Sequence, residues 1–269
     1  MLKFLLASLA AWLLFAQAAS AAPPTSVFLE EMTTSEVAGA LREGRTTIII
    51  PVGGTEQSGP HMALGKHNLR ARVLAGRIAQ QLGNALVAPV VAYVPEGSIT
   101  PPSEHMRFAG TISVPEAPFK SILDSAARGF KQHGFRDIVL LGDHGGYQNA
   151  LQAVAAGLNR GWAKSPARAH FVAEYYRATQ TTYVEALKAK GLSDAQIGVH
   201  AGTADTSLML AIDPTLVKPE LFAQAAREGH AGGTNGDPRP SSAALGQLGV
   251  DAVVQQTVAA IRKAVAAPR

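Results

Sequence analysis

The sequence contains no cysteine, so no disulfide can staple it and no thiolate can bind a metal; an ion would have to be held by nitrogen and oxygen. Aromatic residues make up only 6%, too few for the stacking platforms that single-stranded nucleic acid uses. Charged residues make up 16% with a formal net charge of +4. No window gathers Lys or Arg into a run that would follow a phosphate backbone, so nothing points to a nucleic-acid partner. No apolar run reaches the roughly 20 residues of a membrane-spanning helix. There is no dinucleotide fingerprint and no phosphate-binding loop, and no G-x-S-x-G elbow surrounds Ser58, which argues against a serine nucleophile.

The N-terminus does carry a signal. Lys3 precedes an apolar stretch from Phe4 to Ala16, then Ala19-Ser20-Ala21 and Pro23-Pro24. This is the pattern of a secretory peptide cut after Ala21, which implies a periplasmic or secreted protein; a retained N-terminal anchor is the alternative. Lys3 is the only charge lost, so the net charge passes from +4 to +3. The rest, residues 22–269, shows no repeat and no long linker, and reads as one domain.

Thr33 and Glu36 form a capping-box pattern ahead of a short helix that Gly44 ends. Thr46–Val52 is a continuous apolar and β-branched run, as expected of a strand buried on both faces. The alternation continues with a helix over Leu69–Leu82, an apolar run Ala85–Tyr93, a helix Ala117–His133 and a strand Asp137–Leu141. A helix Asn149–Arg160, a strand His170–Tyr175, a helix Thr182–Lys190 and a last helix Asp251–Val265 follow. Strands alternating with helices predict an α/β fold with a mostly parallel sheet covered by helices on both faces. Ligands in such folds sit beyond the carboxyl ends of the strands.

Three loops at such places are rich in polar groups. Gly53–His61, continuing to Asn68, carries Glu56, Ser58, His61 and His67. Gly142–Tyr147 carries Asp143 and His144 between glycines. Val199–Ser207 opens an apolar helix with His200 and Asp205 near its start. Five of the eight histidines, His61, His67, His105, His144 and His200, fall in or beside these loops. Imidazole and carboxylate are natural ligands for zinc or manganese, and a bound divalent ion suits hydrolysis.

Thr55-Glu56-Gln57-Ser58-Gly59-Pro60-His61, Gly110-Thr111-Ile112-Ser113, Asp143-His144-Gly145-Gly146, His200-Ala201-Gly202 with Asp205-Thr206-Ser207, and Gly236-Asp237-Pro238 follow one another in order. Together they resemble the motif series of the creatininase (creatinine amidohydrolase) family. The resemblance implies a metal-dependent hydrolase of amide-type C–N bonds on a three-layer α/β fold, often hexameric, acting on a small molecule. Carried over, Glu56 and His144 are metal ligands, Asp205 stands where the family has a glutamate, and His200 contacts substrate and moves a proton. Ser58 stands where the family has a histidine, and His67 where it has a metal-bridging aspartate.

A carboxylate can bind two cations through its two oxygens and an imidazole only one. A single ion, zinc ahead of manganese, held by Glu56, His67, His144 and Asp205 is therefore expected rather than two. Asp143 is either a further ligand or a partner orienting an imidazole. His61, Ser58, His105 and Tyr147 are the candidate substrate-binding residues. A non-catalytic ligand- or metal-binding protein on the same fold is the rival reading.

Overall fold

The computed structural model of the chain describes residues 26–268; the expected leader, residues 1–21, lies outside the described residues. Four strands form one sheet: β1 (Thr47–Val52), β2 (Ala85–Val87), β3 (Asp137–Gly142) and β4 (Arg168–Phe171). Their order is β2-β1-β3-β4, and every neighbouring pair is parallel. The helices are α1 (Thr34–Arg42), α2 (Lys66–Leu82), α3 (Glu116–Gln132), α4 (Gln148–Gly161), α5 (Glu174–Gln180), α6 (Thr182–Ala189), α7 (Asp194–Ile197), α8 (Thr203–Ile212), α9 (Phe222–Glu228) and α10 (Ala243–Ala266). Among the described residues, no helix is long and apolar enough to cross a membrane.

The continuous apolar strands are explained by burial on both faces. Ile48, Ile50, Val52, Ile138 and Leu140 share one cluster with Phe119 and Leu123 of α3 and Leu151 and Leu158 of α4. Ile49, Val139 and Leu141, one residue out of phase, pack with Leu74 and Ile78 of α2, Tyr175 of α5 and Val253 of α10. Alternate side chains thus feed two cores, which gives the expected three layers. The capping box of α1 is present, with Glu36 N–H donating to Thr33 Oγ1 at 3.4 Å and Thr33 N–H donating to Glu36 Oε2 at 2.7 Å.

Some boundaries differ from the sequence reading. The Ala85–Tyr93 run is strand only to Val87, because Pro89 has no N–H to give the ladder; Val91 returns as an isolated bridge to Val52. The expected strand His170–Tyr175 ends at Phe171, and Tyr175 belongs to α5. The last helix begins at Ala243, where Ser242 Oγ accepts the Leu245 N–H at 3.2 Å. Its early glycines, Gly246 and Gly249, hide the helical pattern in sequence but let α10 approach α8.

The chain leaves β1 toward β2 on one side, whereas β3 lies on β1's other side. The carboxyl ends of β1 and β3, paired at Val52 and Gly142, therefore open onto a topological switch point.

Candidate metal centre

Two strand ends, the segment between β2 and α3, and the starts of α2 and α8 build the site. The β1 loop turns back at Gly53-Gly54, held by Asn68, whose Oδ1 accepts the Gly54 N–H at 2.9 Å and whose Nδ2 donates to Thr55 Oγ1 at 3.1 Å. This drops Glu56 into the protein with 0% exposure. Tyr147 ties the β1 and β3 ends together: its hydroxyl accepts the N–H of Asp143 (3.2 Å) and His144 (3.0 Å) and donates to the Val52 carbonyl at 2.8 Å.

The two oxygens of Glu56 face different surroundings. Oε2 lies 3.1 Å from His105 Nε2 and 3.4 Å from His144 Nε2, yet has no hydrogen-bond partner. Glu96, 2% exposed, completes this side with Oε2 3.5 Å from His144 Nδ1, and both of its oxygens also lack partners. One donor atom from each of Glu56, Glu96, His105 and His144 fits within 4.8 Å of the other three. Buried, unpartnered carboxylate oxygens converging with two imidazoles are what a divalent cation requires, since burial of such oxygens without compensation is costly. The donor set fits zinc or manganese.

Oε1 of Glu56 faces basic side chains that the chain itself supplies. His67 Nε2 is 2.7 Å away and Lys66 Nζ 3.6 Å away. Lys66, fully buried, also donates to Asp205 Oδ2 at 3.1 Å. Arg70, one turn on, donates from Nε to Asp143 Oδ2 (2.8 Å) and from NH1 to Asp205 Oδ1 (2.8 Å). Asp143 further holds His67 Nδ1 at 2.5 Å and accepts the Tyr175 hydroxyl at 2.8 Å.

The electrostatics follow from this division. Burial alone would raise Glu56, but His67, Lys66 and His144 overcome it and hold the carboxyl well below the usual range. Burial, reinforced by the Glu56 charge, pushes Glu96 up to about 9. Burial lowers His144 to about 4 and, with Lys66 adding to it, His200 to about 3. Asp205 lies well below the ordinary aspartate range because Lys66 and Arg70 outweigh its burial.

Of the residues expected from sequence to bind a metal, Glu56 and His144 meet at the cluster. His67, Asp143 and Asp205 lie beside it: both His67 nitrogens are committed to carboxylates, and Asp143 and Asp205 are neutralised by Arg70 and Lys66. Among the expected substrate-binding residues, His105 enters the cluster. Ser58 and His61 are fully buried and Tyr147 is 1% exposed; His61 Nε2 is within 2.9 Å of Thr206 Oγ1, and Tyr147 braces the strand ends.

Sequence reasoning missed Glu96, Lys66, Arg70 and Gln57. Gln57 Nε2 stands 3.1 Å from His105 Nδ1, and the Gln57 backbone carbonyl lies 3.0 Å from His200 Nε2. The Gly110–Ser113 motif secures the same region: Ser113 Oγ accepts the Glu96 N–H at 3.0 Å, and Thr111 Oγ1 accepts that of Gln57 at 3.1 Å. Lys66 and Arg70, four apart on one helix face, were the available signal for a buried cation pair.

The cluster opens onto a cavity of about 620 Å³ lined by Gln57, His105, Arg107, Phe108, His144, His200 and His230, among others. On its other side a cavity of about 110 Å³ is lined by Lys66, Arg70, Asp143, Tyr176 and Asp205. Glu104 and Ala201, each beside a site histidine, hold φ of +45° and +55°, a strained backbone that concentrates at functional sites.

Comparison with known proteins agrees with this fold. The family model Creatininase: Creatinine amidohydrolase matches residues 30–261. A mycofactocin precursor peptide peptidase of Mycolicibacterium smegmatis is 30% identical over 221 residues, 74% of this chain and 78% of that protein. Creatinine amidohydrolase of Pseudomonas putida is 28% identical over 198 residues, 71% of this chain and 74% of that protein. A solved mutant creatininase of the Zn-Zn type superposes with a TM-score of 0.71 at 25% identity, covering 91% of this chain and all of that one. With a matched span that takes in every motif and every cluster residue described above, the chain belongs to the creatininase family of amidohydrolases.

Proposed function

We propose that the protein is an exported, metal-dependent hydrolase of an amide or cyclic amide C–N bond in a small molecule, working with one divalent ion, zinc ahead of manganese. The observation that carries this reading is the convergence of Glu56, Glu96, His105 and His144, with three orphaned carboxylate oxygens, at the floor of a cavity large enough for such a substrate. Glu56, Glu96, His105 and His144 would hold the ion, which would supply polarisation of a carbonyl oxygen and a lowered pKa for water.

His200 handles the proton. Its Nε2 lies 3.0 Å from the Gln57 carbonyl, which only accepts, so the N–H is on Nε2 and the lone pair on Nδ1, 3.7 Å from Glu56 Oε1. Burial and Lys66 keep the ring neutral. It can therefore take the proton of the attacking water and pass it to the departing nitrogen as the C–N bond breaks. The Gln57 backbone carbonyl orients this ring, and the Gln57 side-chain amide stands 3.1 Å from His105 Nδ1. The leader in residues 1–21 supports export, and a homo-oligomer, hexameric by family resemblance, belongs to the same reading.

The test is elemental analysis of protein purified without added metal, followed by amine release from creatinine, lactams, formamides and short peptides. One equivalent of zinc or manganese, with turnover lost in chelator and restored by the ion, is expected. Turnover that survives metal removal refutes the mechanism, and a normal rate in His200→Ala removes the proton role. Bound metal without turnover on any of these substrates is the outcome of the non-catalytic alternative.

A further inference from the structure

The two oxygens of Glu56 face different groups. Its Oε2 faces His105 and His144, where the divalent ion belongs. Its Oε1 faces His67 Nε2 at 2.7 Å and the ammonium of Lys66 at 3.6 Å, and that ammonium lies 3.1 Å from Asp205 Oδ2. A carboxylate with a cation on each oxygen is the arrangement of a two-cation centre. Lys66 has no exposure, and its ammonium contacts two carboxylates, one in the loop after β1 and one in the first turn of α8. Arg70 supplies the remaining positive charge from the same helix face, 2.8 Å from Asp205 Oδ1.

We infer that the Lys66 ammonium is the second cation of this centre, built into the chain, so that the site accepts one divalent ion and rejects another. The inference rests on the metal reading above. A divalent ion beside Glu56 Oε1 would have to displace a tethered ammonium from Asp205 and enter a space where Lys66 and Arg70 already meet the carboxylates. An ammonium donates hydrogen bonds and cannot accept a ligand lone pair. Lys66 therefore holds Glu56 and Asp205 in place and cannot coordinate a substrate oxygen as a metal would. Unlike a metal, it also survives chelation.

Metal stoichiometry decides the matter. Protein saturated with zinc or manganese, with free ion removed, is expected to hold one equivalent in the wild type and in Lys66→Arg. Lys66→Ala, which takes the ammonium from Glu56 Oε1 and Asp205 Oδ2, is expected to hold two, and Lys66→Ala with Asp205→Asn to return to one. Because the alanine variant could misfold, manganese electron paramagnetic resonance on the wild type gives a separate reading: an isolated Mn(II) signal at saturation is expected. Two equivalents or a spin-coupled pair in the wild type overturn the inference and leave the metal reading intact. One equivalent in folded Lys66→Ala overturns it as well. No bound ion in the wild type overturns the metal reading and the inference with it.

Discussion

Replacing Arg70 by methionine removes a guanidinium that is 4% exposed and sits between two carboxylates. Nε reaches both oxygens of Asp143, at 2.8 and 3.1 Å, and NH1 reaches Asp205 Oδ1 at 2.8 Å. Burial disfavours its charge, yet Asp143 and Asp205 raise its pKa above the ordinary arginine value. Removing one partner of a buried pair generally costs about 3–5 kcal/mol, because the other charge is left without compensation.

Both acids keep something here. Asp205 retains Lys66 and the Ala201 N–H at 3.0 Å, and Asp143 retains His67 and the Tyr175 hydroxyl. The loss should therefore fall at the lower end, about 3 kcal/mol, or a fall in Tm of roughly 6–12 °C for a domain of this size. Arg70→Lys keeps the charge without the fork that serves two acids, and should lose about half as much. Circular dichroism melts of metal-free protein at pH 7 measure both. A fall below about 2 °C for Arg70→Met refutes the reasoning. So does a double-mutant cycle with Asp143→Asn that is additive to within about 0.5 kcal/mol.

Two further outcomes follow from the same geometry. His61 and His144 are lowered to about 4 and His200 to about 3, in each case chiefly by burial. The unfolded chain takes up these protons below about 6.5 and the folded one does not. Each histidine therefore withdraws up to roughly 1.4 kcal/mol per pH unit as pH falls from 6.5 toward 4. His105, also lowered by burial, acts with them; Glu96, raised to about 9, binds its proton more readily when folded and opposes them, so four imidazoles act against one carboxyl. Melts of metal-free protein at pH 7 and pH 5 should differ by several degrees, and equal midpoints count against neutral burial of these rings. Separately, a Cβ on Gly54 would stand 2.5 Å from Glu96 Oε1 at a φ of +151°. Gly54→Ala should push Glu96 aside and weaken metal binding about 10–100-fold by calorimetry, as displaced supporting groups do; unchanged affinity removes Glu96 from the ligand set.

Much of the frame was legible because both central strands are buried on two faces. Thr46–Val52 and Asp137–Leu141 read as continuous apolar runs, and the strands differ from them by one residue each. Their carboxyl ends located the loops, and Glu56 and His144 followed from the loops. What was not legible is which acid meets which base. Asp205 is a good ligand by type, but nothing local says that Lys66 and Arg70, 139 and 135 residues away in sequence, will occupy it. Glu96 lies between Pro95 and Gly97 in a segment without periodic pattern; its placement comes from Ser113 and from the close approach of Gly54. His67 sits in the first turn of α2, which begins at Lys66 and not at Leu69, and that turn sends its ring between Glu56 and Asp143.

The start of α2 breaks a local rule in a way that its surroundings explain. A helix N-terminus carries a partial positive charge that disfavours basic residues by about 0.3–1 kcal/mol each. This helix has no acid in its first turn and instead places Lys66 and His67 there, with Arg70 following. No side chain caps it. Local preference therefore argues against beginning a helix here. The opposing term is larger: Glu56, Asp143 and Asp205 lie within hydrogen-bonding or ion-pairing reach of these three residues, and leaving even one of those acids uncompensated in the interior would cost several times the dipole penalty. Where a sequence violates its own local preference, the compensation lies in tertiary structure, often at a functional site. The helix start is thus fixed by the carboxylates it neutralises. A chain keeping acids at Glu56, Asp143 and Asp205 but lacking this basic turn would need another source of positive charge in the same place.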